Sequence, residues 1–63
     1  MNSRQLKSYR GFLIFKTWET DINANGREVQ TNVIYMADWE DGYNFNCKRT
    51  LKELKKSIDD YLS

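Results

Sequence analysis

The chain has 63 residues, room for one domain and no second. Ten Lys and Arg stand against nine Asp and Glu, a net charge of +1 without the basic excess usual in nucleic-acid-binding domains. Two Trp, four Tyr and three Phe argue against a disordered chain, and the single cysteine, Cys47, excludes an internal disulfide.

Met1–Lys7 is polar and reads as a loose N-terminal tail, or with Ser3-Arg4-Gln5 as the start of a short helical turn, which leaves 8–63 as the folded domain. No apolar stretch of signal-peptide type follows Met1. The longest apolar runs, Phe12–Phe15 and Val33–Ala37, fall far short of the roughly 20 residues a membrane span needs. Without a disulfide framework the expected setting is the cytoplasm.

The first strand is expected over 9–18, where Tyr9-Arg10-Gly11-Phe12-Leu13-Ile14-Phe15-Lys16-Thr17-Trp18 is rich in aromatic and β-branched residues. Gly11 inside it suggests a bulge or a close backbone approach. Turn chemistry follows from Asp21 to Gly26, with Asn25-Gly26 the strongest hairpin signal. Asp21-x-Asn23-x-Asn25-Gly26 also matches the opening of a calcium-binding loop, yet Asn32 stands where that loop needs a bidentate Glu. A hairpin turn is therefore expected there. The second strand covers 28–37, and Asp41-Gly42 closes a second tight turn. The third strand, 43–47, alternates with period two and places Tyr43, Phe45 and Cys47 on one face.

Thr50-Leu51-Lys52-Glu53 matches a capping box: the Thr hydroxyl accepts from the Glu53 amide, and the Glu side chain reaches back. Leu51, Leu54, Ile58, Tyr61 and Leu62 then line one stripe of a helix over 51–62. The fold class is α+β, a three-stranded antiparallel meander packed on one C-terminal helix.

Catalytic chemistry finds no foothold. With no histidine, His-based acid-base catalysis and His metal ligation are absent. One cysteine makes no structural zinc site, and no glycine-rich phosphate loop occurs. Cys47 reads as a small core residue, and Asp38, Glu40 and Asp41 as a solvated acidic turn. No catalytic, cofactor-binding or metal-ligating residue is identified, and neither an enzyme nor a small-molecule substrate is expected.

One helix can dry only one face of a sheet. Phe12 and Ile14 point one way on the first strand, and Leu13 and Phe15 the other; Ile34 and Met36 likewise oppose Val33 and Tyr35. The face away from the helix thus carries Leu13, Phe15, Ile34 and Met36, candidates for contact with a protein partner or a second copy. The first strand is also expected to be an edge, open to strand addition. The alternative ligand is nucleic acid, with Arg10, Lys16, Trp18 and Arg27 as candidates to meet phosphates or bases, although Glu19, Asp21 and Glu28 lie among them.

Tyr9-Arg10-Gly11 and Phe45-x-Cys47 leading into Thr50-Leu51-x-Glu53-Leu54-Lys55-x-x-Ile58-Asp59 resemble small strand-strand-strand-helix modules of bacteria and their phages, many without an assigned function. Cys47 stands where those modules usually carry alanine. The architecture is also similar to the arm-binding domains of tyrosine integrases and to plant AP2 domains, which begin with Tyr-Arg-Gly and bind DNA through the sheet. That resemblance implies that Phe12 and Ile14 face the helix and Leu13 and Phe15 lie outside. The functional expectation is a small, non-enzymatic, bacterial or phage binding module, contacting a protein or itself through the sheet face or edge. The alternatives are a DNA-binding sheet domain and a phage-encoded inhibitor of a host protein.

Overall fold

The computed structural model describes residues 2–63. Their elements run β1 (Asn2–Gln5), β2 (Leu13–Ile22), β3 (Glu28–Asp38), β4 (Asn44–Lys48) and α1 (Leu51–Leu62). The strands form one antiparallel sheet in chain order. The α+β class with a C-terminal helix is as expected, but the sheet has four strands rather than three.

The added strand lies in the expected tail 1–7, of which Met1 is outside the described residues. Asn2–Gln5 has no apolar pattern and is exposed throughout. Backbone pairing to β2 holds it, from Asn2 opposite Trp18 to Gln5 opposite Phe15. It reaches β2 through a tight turn in which Tyr9 and Phe12 exchange backbone bonds of 3.0 and 2.9 Å. Arg10 (φ 50°) and Gly11 (φ 89°) are both left-handed, the two-residue hairpin form that matches strand twist. Gly11 is thus a turn residue rather than a bulge, and the strand expected at 9–18 is observed at Leu13–Ile22. β2 becomes an interior strand; the sheet edges are β1 and β4.

The other two hairpins use a longer loop. Asn23 N–H donates to the Arg27 carbonyl at 2.9 Å, and Gly26 N–H to the Asn23 carbonyl at 3.0 Å. Only Gly26 is left-handed (φ 76°), so the loop spans three residues and Asn25 does not share its conformation. Trp39–Tyr43 repeats this bonding. Asn23 Oδ1 accepts from the amides of Asn25 (2.9 Å) and Arg27 (3.0 Å), so this oxygen braces the turn.

Two irregularities set which side chains face the helix. Thr17 pairs with Ile34 and Glu19 with Thr31, so Trp18 opposes two residues, Asn32 and Val33. Asn32 takes the strain of the bulge in left-handed geometry (φ 50°), and its amide donates to Glu19 Oε2 at 2.7 Å. On β4, Ala37 faces Asn46 and Asp38 faces Asn44, which leaves Phe45 as an extra residue. Phe45 packs on the core and Asn46 bonds Ser57 of α1 at 2.7 Å, so both look toward the helix. Cys47 is therefore turned away and exposed, not inward as period two implied.

The core comprises Phe12, Ile14, Ala37, Leu54 and Ile58, with Leu6, Tyr9, Tyr35, Phe45 and Leu51 against it. Helix α1 covers β3 and β4. The β2–β3 hairpin continues beyond it as a two-stranded ribbon, exposed from Glu19 to Gln30. Its reach raises the radius of gyration to 13.5 Å, against about 11 Å for a compact chain of this length.

Thr50 is the N-cap of α1, its hydroxyl accepting from Glu53 N–H at 3.2 Å. Among the described residues the reciprocal bond from Glu53 to the Thr50 amide is not formed, so the cap rests on Thr50. Thr50→Ala is expected to lower unfolding free energy by about 1 kcal/mol in urea titration; a change near zero would show that the cap contributes nothing.

Candidate functional site

Side chains alternate across a strand, so the residues neighbouring buried Ile14 emerge on the far side of the sheet. Leu13, Phe15 and Thr17 of β2 lie directly opposite Asp38, Met36 and Ile34 of β3. Pairing extends the central row to Gln5 on β1 and Cys47 on β4. Leu13, Phe15, Ile34 and Met36 thus share one face, which no helix covers. Each is half-buried, because cross-strand neighbours at about 5 Å shield one another. Thr17, among them, is buried and its hydroxyl donates to the Ile34 carbonyl at 3.4 Å.

The same alternation sorts charge. Glu19 and Asp21 follow Thr17 at odd positions, and Asp38 pairs with Leu13, so these carboxylates belong to the open face. Lys16 and Trp18 lie on the helix side, where Lys16 Nζ sits 5.3 Å from the Trp18 ring centroid and donates to Gln30 Oε1 at 2.8 Å. The four nucleic-acid candidates do not converge. Arg10 is in the β1–β2 turn and Arg27 in the β2–β3 turn, near opposite ends of a molecule 45 Å long.

Arg10 has another task. Its Nη1 donates to Asp59 Oδ1 at 2.9 Å, and the Tyr9 hydroxyl donates to both Asp59 oxygens at 2.9 and 3.1 Å. This ties the first turn to the last third of α1. The bonds from Arg10, then Tyr9, hold the Asp59 carboxyl below its ordinary range. The same carboxylate, by hydrogen bond and then with desolvation, pushes the Tyr9 phenol up.

A further apolar surface lies at the end of the sheet nearest Gly11. Phe12, Trp39, Phe45 and Tyr61 form a cluster with neighbouring ring centroids 4.7–5.6 Å apart. Trp39 and Tyr61 remain 36% and 57% exposed. The sequence gives little sign of it, since Trp39 lies in a polar turn and meets Tyr61 only after folding.

Among the described residues, no group of three or more His, Cys, Asp or Glu side chains is placed to hold a metal ion. Among the same residues, no helix is long and apolar enough to cross a membrane. A shallow concavity follows α1 and is lined by Leu51, Lys52, Glu53, Lys55 and Asp59 among others. Compared with known proteins, the chain matches no family model, and no curated protein or solved structure is significantly similar to it.

Because the folded state lowers the Asp59 pKa, it binds that proton less tightly than the unfolded chain. The stabilisation is present above the ordinary carboxylate value and is lost as pH falls through the lowered one. Asp59→Asn should therefore be less stable than the parent at neutral pH, the difference shrinking under acid. Thermal melts at stepped pH test this, and a constant difference would contradict it.

Proposed function

We propose that the chain is a non-enzymatic binding module whose contact surface is the sheet face opposite α1, engaging a protein partner or a second copy of itself. One observation carries the reading: Leu13, Phe15, Ile34 and Met36 form a contiguous apolar group on a face that no other element covers. Folding alone does not require apolar residues there, because the outer face of an antiparallel sheet is ordinarily polar. The carboxylates Glu19, Asp21 and Asp38 on the same face favour a protein over DNA, since they repel phosphates. A free, exposed Cys47 at its margin is compatible with a reducing cytoplasm. The small bacterial and phage modules that the sequence resembles offer a setting, an inhibitor of a host protein among them.

The Leu13→Asp, Phe15→Asp double variant tests the face, with circular dichroism to confirm that it folds and Met36→Lys as a milder second change. If the wild type self-associates in sedimentation equilibrium, or binds a partner isolated by affinity capture, the double variant should weaken that contact by about 2 kcal/mol or more, roughly thirtyfold. The wild-type contact should change little between low and physiological salt. A monomeric wild type whose captured proteins are all retained by the double variant would refute the proposal.

A further inference from the structure

The geometry points to a second binding surface on the other side of the sheet, a basic groove that holds single-stranded nucleic acid. Its floor is the part of the helix side that α1 leaves bare. The helix packs over β3 and β4 and seals Ile14 of β2, so β1 and the part of β2 beyond Ile14 stay open there. Alternation places Arg4, Lys16 and Trp18 on that floor, with Arg4 directly across from Lys16. The near flank of α1 is the wall. Lys52, Lys55 and Asp59, spaced by three and four, share one stripe of the helix. That stripe faces the floor side, because Lys55 Nζ lies 5.1 Å from the Tyr9 ring centroid and Asp59 bonds Tyr9.

Cations outnumber carboxylates on this groove. On its wall Glu53 lines the concavity beside Lys52, Lys55 and Lys56, and Arg10 engages Asp59 at 2.9 Å. That pair is the one ion pair among the described residues, so Arg4, Lys16, Lys52 and Lys55 have no carboxylate within bonding distance. Like charges directly opposite on paired strands cost stability, as Arg4 and Lys16 are. A polyanion would relieve that repulsion. Of the acids that interrupt the basic residues in sequence, Glu19 and Asp21 lie on the other face, while Glu28, opposite Ile22, lies on the groove's side toward the ribbon tip. The near-neutral chain therefore has a cationic side that its net charge conceals.

Two aromatic faces accompany the cations. Lys16 stands over Trp18 and Lys55 over Tyr9, and both rings are only half-buried. An exposed lysine tip that swings off its ring suits a strand whose phosphate meets the cation and whose base takes its place on the ring. A duplex keeps its base faces inside its own stack, and an acidic peptide has no base to offer. Nothing in the groove singles out a ribose hydroxyl, so deoxy and ribo strands bind alike. Lys16 and Trp18 take part; Arg10 and Arg27 do not.

Fluorescence anisotropy of labelled oligothymidylate and oligouridylate with the full chain tests this. Both should bind at low salt, with log K falling by about 0.7 per unit of log salt for each phosphate contacted. Lys52→Glu with Lys55→Glu, both on exposed helix surface, should weaken binding at least tenfold. Trp18→Leu should weaken it about tenfold through lost stacking, with the salt slope unchanged. The Leu13→Asp, Phe15→Asp variant should bind as the parent does, which separates this groove from the opposite face. No binding at low salt, polyglutamate binding as tightly as the oligonucleotides, or indifference to the Lys52 and Lys55 changes would overturn the inference.

Discussion

Leu54 and Ile58 are the two helical side chains wholly removed from water, and they close over Phe12, Ile14 and Ala37. A 12-residue helix is about 18 Å long, while the molecule extends 45 Å. Its apolar stripe can therefore seal only part of one side of the sheet. That limit creates the three surfaces of interest: an uncovered apolar face, an uncovered basic floor and a bare ribbon. The flanking contacts extend the reach of this small core. Arg10 and Tyr9 tether the first turn to Asp59, and the aromatic cluster closes the end near Trp39.

The sheet acts as a sorter. Its alternation sends Leu13, Phe15, Glu19 and Asp21 to one side, and Ile14, Lys16 and Trp18 to the other. The irregularity in β4 modifies the sorting by directing both Phe45 and Asn46 toward the helix. Cys47 then emerges beside Met36 on the open face. Residues mixed in sequence become two surfaces of different chemistry, a separation that the net charge conceals.

Where side-chain pattern determines structure, the sequence is readable. The helix at Leu51–Leu62 follows from its stripe and its Thr50 cap, and the second strand from its β-branched run. The opposition of Leu13 and Phe15 to Ile14 follows from period two. Where backbone geometry determines structure, the sequence says little. β1 carries no apolar signal because only main-chain bonds and the Arg10-Gly11 turn place it. Arginine is a poor marker for a left-handed position, so that turn passes for strand. The bulge at Phe45 likewise leaves no compositional trace, and with it goes the placement of Cys47. The apolar face was legible as a candidate surface; the basic groove was not, because it needs β1 and the flank of α1 brought together.

The bare ribbon has a consequence of its own. From Glu19 to Gln30 both strands lie in water, so their main-chain bonds have no packed layer to protect them. Opening them exposes almost no apolar area and costs far less than disrupting the five-residue core. The molecule is thus graded along its length, firm beneath α1 and loose at the Asn23–Arg27 tip. Such a hairpin can bend, fray and re-form while the rest of the domain stays folded, and amide exchange would register the two ends as separate cooperative units.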